Sequence, residues 1–418
     1  MINKCNNDSS DYNKLIMKNK KIFKKIHNRK SISSSTINFD FNNNNFIIIP
    51  VTINICLSKE KYKIDFLKYS KYIIDTLNNG FSGNISSKYK EDKYSKEYFK
   101  NKLFEKYNIK AERYANTIHD YINKKTDTKI RFYLDSIEYY NINFEIEFNN
   151  NDTEKLINNF FKNGFKIRKE NKYNLNIYII NFLCKTLGVS TFPWMKYLLK
   201  IPSTMMTFID YRTIHPDISN NNFNECKTLI HEIGHIFGLK HIFYNDKESL
   251  EVYRILLGKI IYEKEFLNTI DNSGLNNKLN NKSYLDDIKK FVIKITENKK
   301  DKIQLYDDIP YQKKPTINNP IELNDYQIIN NTVCNFCCFM DYSPDAVLTH
   351  FTESQKRIMF YFIIIFKSYL ISNSAKLESK LLNNKIKYYI NEDINKNINK
   401  NEYIIEFNIN NIFEYIII

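Results

Sequence analysis

Apolar positions first gather at "FIIIPVTINICL" (46–57), a β-branched run that reads as a buried strand. Before it, residues 1–45 are polar and turn-rich, and a disordered tail is expected there. Helical spacing follows over about 61–79 and is expected to stop near "NNGFSGN", where Gly80 and Gly83 break it. The charged stretch 86–127 keeps a mostly helical pattern. Strand-like runs then return at "TKIRFYLDSI" (128–137), "NLNIYIINFL" (174–183) and "STMMTFIDY" (203–211). A late helix is expected at "FTESQKRIMFYFIIIF" (351–366), capped by Thr352. This order predicts an α/β (α+β) layout, with helices packed on one twisted mixed sheet.

Composition narrows the function classes. A chain of 418 residues, 43% apolar, can fill one large core or two ordinary ones. The net charge of +15 would suit nucleic acid or an anionic membrane, but the lysines are scattered and mixed with 47 acidic residues. Asn, Lys and Ile dominate together, as a genome-wide bias would produce, so no nucleic-acid partner is expected. The first thirty residues hold no apolar stretch like that of a signal peptide, and the basic run Lys18–Lys30 reads as a solvated tail. The run "IMFYFIIIF" (358–366) is too short to span a bilayer and reads as a buried helix. An intracellular protein is the default expectation, with secretion by another route left open. Seven cysteines form no disulfide framework. Only Cys334, Cys337 and Cys338 cluster, and "CNFCC" reads as free thiols, with a second zinc site or a redox pair as the alternative.

The strongest chemical signal is "HEIGHIFGLKH" (231–241). At about 100° per residue, Leu229, Ile230, Ile233, Ile236 and Phe237 share one side of a helix. His231 and His235 share the opposite side, one turn apart, where both can reach one ion. A histidine serving the core would sit among the apolar residues instead. Glu232 lies beside the pair, placed to act as a general base. Gly238 allows the helix to end with a positive φ, after which His241 can swing back as a third ligand. Three histidines with one open position suit a catalytic zinc, and the full spacing is the metzincin signature. Downstream, "CFMDYSPD" offers Met340 as an apolar floor under such a site. Tyr342 is placed to donate a hydrogen bond to an oxyanion.

These motifs resemble one metzincin branch, the pappalysin (cytophagalysin) metallopeptidases. "IPVTINI" (49–55) is similar to that family's opening strand, and "LNNGFSGN" (77–84) to its L-N-x-x-F-x-G segment. "NLNIYIINFL" with "LGVSTFPW" (187–194) resembles its L-N-I-x-x-V-N strand and the following loop. "DIPYQ" (308–312) is similar to D-T-P-x-Q, and 339–359 to the Met-turn and final helix. The resemblance implies a zinc endopeptidase with a cleft between a sheet-bearing upper lobe, about 46–238, and a smaller irregular lower lobe, about 239–372, that ends in a helix. Residues 373–418 are then a C-terminal extension. It implies His231, His235 and His241 as zinc ligands, Glu232 as general base, Met340 in the Met-turn and Tyr342 as oxyanion stabiliser.

Three features depart from the family. Val347 stands where a cysteine is common, the segment from His241 to Met340 is long and Lys/Asn-rich, and the chain shows no signal peptide. Some family members bind calcium, which nothing in the sequence calls for. Cys5 is the one cysteine of the tail and could reach a zinc, but no surrounding motif supports a latency switch. A protein or peptide substrate is expected to pair with an exposed edge strand, for which 203–211 is the candidate. Two other classes stand beside the peptidase. A non-catalytic binding protein of the same fold would show a damaged set of functional residues, whereas every position here is filled. A basic nucleic-acid binder with an incidental metal site would need lysines and aromatics clustered on one face.

Overall fold

A computed structural model of the chain describes residues 46–57, 66–85, 94–141, 173–183, 185–193, 205–219, 221–243, 306–323, 326–381, 385–391 and 400–406. The expected tail, with Cys5 and Lys18–Lys30, lies outside the described residues. So does most of the segment between His241 and Met340, and much of the C-terminal extension.

In chain order the elements are β1 (Ile47–Leu57), α1 (Phe66–Ser82), a hairpin of α2 (Lys96–Tyr107) and α3 (Ala111–Asn123), β2 (Ile130–Asn141), β3 (Leu175–Ile180), β4 (Gly188–Ser190), β5 (Met206–Asp210) and α4 (Lys227–Ile236). After the long gap come α5 (Pro320–Leu323), the short strands β6 (Ile328–Ile329) and β7 (Thr332–Val333), α6 (Glu353–Leu381), β8 (Lys385–Asn391) and β9 (Lys400–Glu406). Among the described residues the main sheet runs β4-β5-β3-β1-β2-β8-β9. Its inner pairings are parallel, and the two outermost, β4 with β5 and β8 with β9, are antiparallel. The expected α/β architecture is therefore present.

β1 lies at the centre and is buried along its whole length, so both faces of the sheet are covered there. Its polar positions do not face water. Thr52 meets the Ser136 hydroxyl at 3.0 Å and receives the Asn174 amide at 3.0 Å, while the Asn54 amide reaches the Ile177 carbonyl at 3.4 Å. A buried polar face of this kind is tolerated because its groups are hydrogen-bonded.

Two sequence expectations need correcting. Segment 203–211 does not supply the edge: β5 is flanked by β3 and β4, and among the described residues the three-residue β4 is the outermost strand on that side. A three-residue strand is too short for alternation to register, so its sequence reads as loop. Helix α1 ends within the expected stretch, turning at Gly83 where φ is +75°, but Gly80 does not break it. Gly80 serves packing, since a Cβ there would lie 2.5 Å from Ile230 Cδ1, and its absence lets α1 lie close against α4.

The main core joins the sheet, α1 and α4 to the segment around Met340 and to the first half of α6. A second core forms where Phe99, Leu103, Tyr114 and Ile118 of the α2–α3 hairpin meet Ile321, Phe336 and Val347. Cys337 and Val347 both belong to this second core. Cys56, Cys226, Cys334, Cys337 and Cys338 are all buried and free. Burial pushes the Cys334 and Cys338 thiols up to about 12, which makes them poor nucleophiles. Helix α6 starts with a reciprocal cap: Gln355 N–H donates to Thr352 Oγ1 at 3.3 Å, and Thr352 N–H to Gln355 Oε1 at 3.0 Å. Among the described residues no helix is long and apolar enough to cross a membrane.

Candidate metal centre

Helix α4 carries the centre and is buried on every side. It begins after Cys226, whose φ is +61°, and Lys227 fastens that end by pairing with Glu225 at 3.3 Å and donating to the Asp345 carbonyl at 2.5 Å. It ends in a Schellman turn. Gly238 N–H donates to His235 O at 2.9 Å, Leu239 N–H to Gly234 O at 3.0 Å, and Gly238 takes φ +88°. That reversal returns the chain toward the helix and brings His241 onto the same point as His231 and His235.

The three imidazoles form a buried cluster able to hold a metal ion, with ligand atoms within 4.8 Å of one another. His241 Nε2 lies 3.1 Å from His231 Nε2 and 3.2 Å from His235 Nε2. A tetrahedral ion at about 2.0–2.1 Å from each nitrogen would space them about 3.3–3.4 Å apart, so the geometry is close to that of a loaded site. The far side of the rings fixes the tautomers. His231 Nδ1–H donates to Phe339 O at 2.6 Å, and His235 Nδ1–H to Leu239 O at 2.7 Å. A carbonyl can only accept, so the proton sits on Nδ1 and the Nε2 lone pair faces the centre.

The segment around Met340 closes the site from below. A Cβ on Gly234 would fall 2.6 Å from Met340 Sδ, which shows how closely the methionine lies under the helix. Ile242 N–H donates to Met340 O at 3.3 Å, tying the residue after His241 to the same turn. Asp341 is buried and accepts from Tyr342 N–H at 2.8 Å, from the Gln312 amide at 3.0 Å and from Thr316 N–H at 3.1 Å. Burial raises its pKa, and these bonds oppose the rise. The Tyr342 ring stands 4.9 Å from the His241 ring, and Phe243 stacks on His241 at 4.8 Å.

Glu232 points away from the apolar side of α4 toward β4, and Ser190 Oγ donates to its Oε2 at 2.8 Å. A Cβ on Gly188 would lie 2.8 Å from Glu232 Cγ, so only glycine leaves room for the carboxylate there. The structure thus brings His231, Glu232, His235, His241, Met340 and Tyr342 into one place. Sequence reading missed Gly188, Ser190 and Tyr306. The Tyr306 hydroxyl accepts from Lys240 N–H at 2.9 Å and donates to Lys240 O at 2.7 Å, clamping the residue before His241. The "LGVSTFP" segment could have drawn attention to the first two, but nothing in the sequence marks Tyr306.

No known protein-family profile matches the chain. Among curated proteins it is similar to the uncharacterized protein R722 of Acanthamoeba polyphaga mimivirus, 26% identical over 215 residues, covering 48% of this chain and 24% of that protein. The chain thus spans about a quarter of that relative's length. Among solved structures, a promirolysin mutant from Tannerella forsythia superposes with a TM-score of 0.52 at 15% identity, over 90% of this chain and 99% of that one. Mirolysin in complex with compound 9 gives 0.50 at 18% identity, over 80% of this chain and 98% of that one. At these identities the likeness concerns the fold alone, which is similar to that of mirolysin.

Proposed function

We propose that the chain is a zinc-dependent endopeptidase of the pappalysin type. The observation that carries this reading is the convergence of the three Nε2 atoms beside a buried carboxylate, with the tautomers of His231 and His235 set by main-chain carbonyls. A neutral, all-nitrogen donor set of this shape fits zinc better than calcium or magnesium, which take oxygen ligands. His231, His235 and His241 would hold the ion, and bound there it would supply Lewis acidity toward a peptide carbonyl and toward water.

The chain's own groups then divide the remaining work. Glu232 accepts a proton from the attacking water and returns it to the leaving amine, which breaks the C–N bond. Tyr342, whose ring lies beside His241 and His231, donates to the oxygen on which negative charge develops. A peptide lying extended along the outermost strand β4 would pair its main chain there and pass close to Glu232. Incubating the purified chain with denatured proteins, with and without a zinc chelator, tests the reading. Chelator-sensitive cleavage at internal bonds is the expected result. No cleavage by zinc-loaded protein would overturn it.

A further inference from the structure

We infer that Ser190 is a positioning residue for Glu232, fixing the carboxylate in the orientation from which it exchanges protons during peptide hydrolysis; this rests on the peptidase reading above. Helix α4 fixes only the backbone of Glu232, and three side-chain torsions remain to be set. β4 sets them from outside the helix. Gly188 and Ser190 are two residues apart and so face the same side of the strand. Gly188 offers the space that the Glu232 Cγ occupies, and Ser190 offers the hydroxyl that takes Oε2 at 2.8 Å. Both Ser190 and Glu232 are buried, so the bond is made away from competing water.

The strand that presents these two residues is itself held firmly. Gly188, Val189 and Ser190 pair with Ile209, Phe208 and Thr207 of β5. Just beyond each end, Asp210 N–H donates to Leu187 O at 2.9 Å, and Thr191 N–H donates to Met206 O at 3.0 Å. Ser190 therefore acts from a rigid element, and so is suited to positioning a reacting group. A hydroxyl that merely satisfied its own burial would not need to meet the carboxylate next to His231.

The test compares the zinc-loaded full chain with Ser190→Ala and Ser190→Thr, each also made in a Glu232→Ala background. Ser190→Ala should keep its zinc and its melting temperature, leave KM within about twofold, and lower kcat about ten- to a hundredfold. Ser190→Thr retains a hydroxyl and should recover most of the lost rate. In the Glu232→Ala background, removing Ser190 should cost nothing further, because its effect passes through that carboxylate. An unchanged kcat in Ser190→Ala overturns the inference. So does loss of zinc, an equal loss in Ser190→Thr, or a further loss without Glu232. If the wild-type chain cleaves nothing, the peptidase reading falls and takes this inference with it. Wild-type cleavage with an unaffected Ser190→Ala overturns this inference alone.

Discussion

Substituting Gly188 by alanine adds a single methyl group, and the structure says where that methyl goes. It would lie 2.8 Å from Glu232 Cγ, 3.1 Å from Glu232 Oε1 and 3.1 Å from Ile209 Cδ1. Ordinary contact begins near 3.4 Å, so the Glu232 side chain must retreat by about 0.6 Å or rotate. The strand is held by its pairing with β5, so the more flexible Glu232 side chain is the part expected to yield. Displacement on that scale at a reacting group costs roughly 10²-fold in rate. The overpacking itself costs about 1–3 kcal/mol of stability, small beside a domain's total. Gly188→Ala should therefore fold, bind zinc like the wild type, and hydrolyse peptide about a hundredfold more slowly. Metal analysis, thermal melting and steady-state kinetics on one preparation separate these effects. Wild-type kcat in a folded, zinc-bearing Gly188→Ala would refute the claim that β4 shapes the position of Glu232.

Other outcomes follow from the same geometry. His235→Ala should lose the metal, measured as zinc per chain, while Glu232→Ala should keep it and lose about 10²–10⁴-fold in hydrolysis. Zinc retained in full by His235→Ala would remove that residue from the ligand set. Tyr342→Phe should lower kcat with its zinc intact, by about 10²–10³-fold if its hydroxyl behaves like other oxyanion donors; an unchanged rate would exclude it from that role. Burial, with the charge of Lys124 adding to it, lowers the His350 pKa from 6.5 to about 3. The unfolded chain takes up that proton first as pH falls, so the stability present above about pH 6.5 is lost between there and pH 3. The melting temperature should fall through that window, and less steeply in His350→Gln; identical profiles would show that other groups govern acid unfolding.

How legible each part was depends on how local its cause is. β1 and β3 could be read because burial on both faces leaves long apolar runs. β4 could not, since three residues carry no period and its partner β5 begins only after fifteen intervening residues. The end of α1 near Gly83 is legible, but Gly80 is not the break its residue type suggests: it answers the side chain of Ile230, far along the chain. The histidines were legible because helical spacing and the glycine turn are local rules. The groups that orient them were not. The carbonyls of Phe339 and Leu239 belong to the main chain and leave no trace in residue type. Ser190 acts across 42 residues and Tyr306 across 66.

That contrast explains how the centre is divided between the parts of the chain. His235 is oriented from within its own helix end, by the carbonyl of Leu239. His231 is oriented from 108 residues away, by Phe339, and the chain on either side of His241 is held by Tyr306 and Met340. Glu232 takes its orientation from the opposite quarter, the edge of the sheet. The helix supplies His231, Glu232 and His235, while the groups that contact them come from segments that meet only when the sheet and the Met340 turn pack against it. A short motif can therefore stay legible in a heavily biased sequence, because its spacing is fixed by helix geometry. Alignment rests instead on main-chain carbonyls, the hydroxyls of Ser190 and Tyr306 and two close-approach glycines, none of which helical spacing announces.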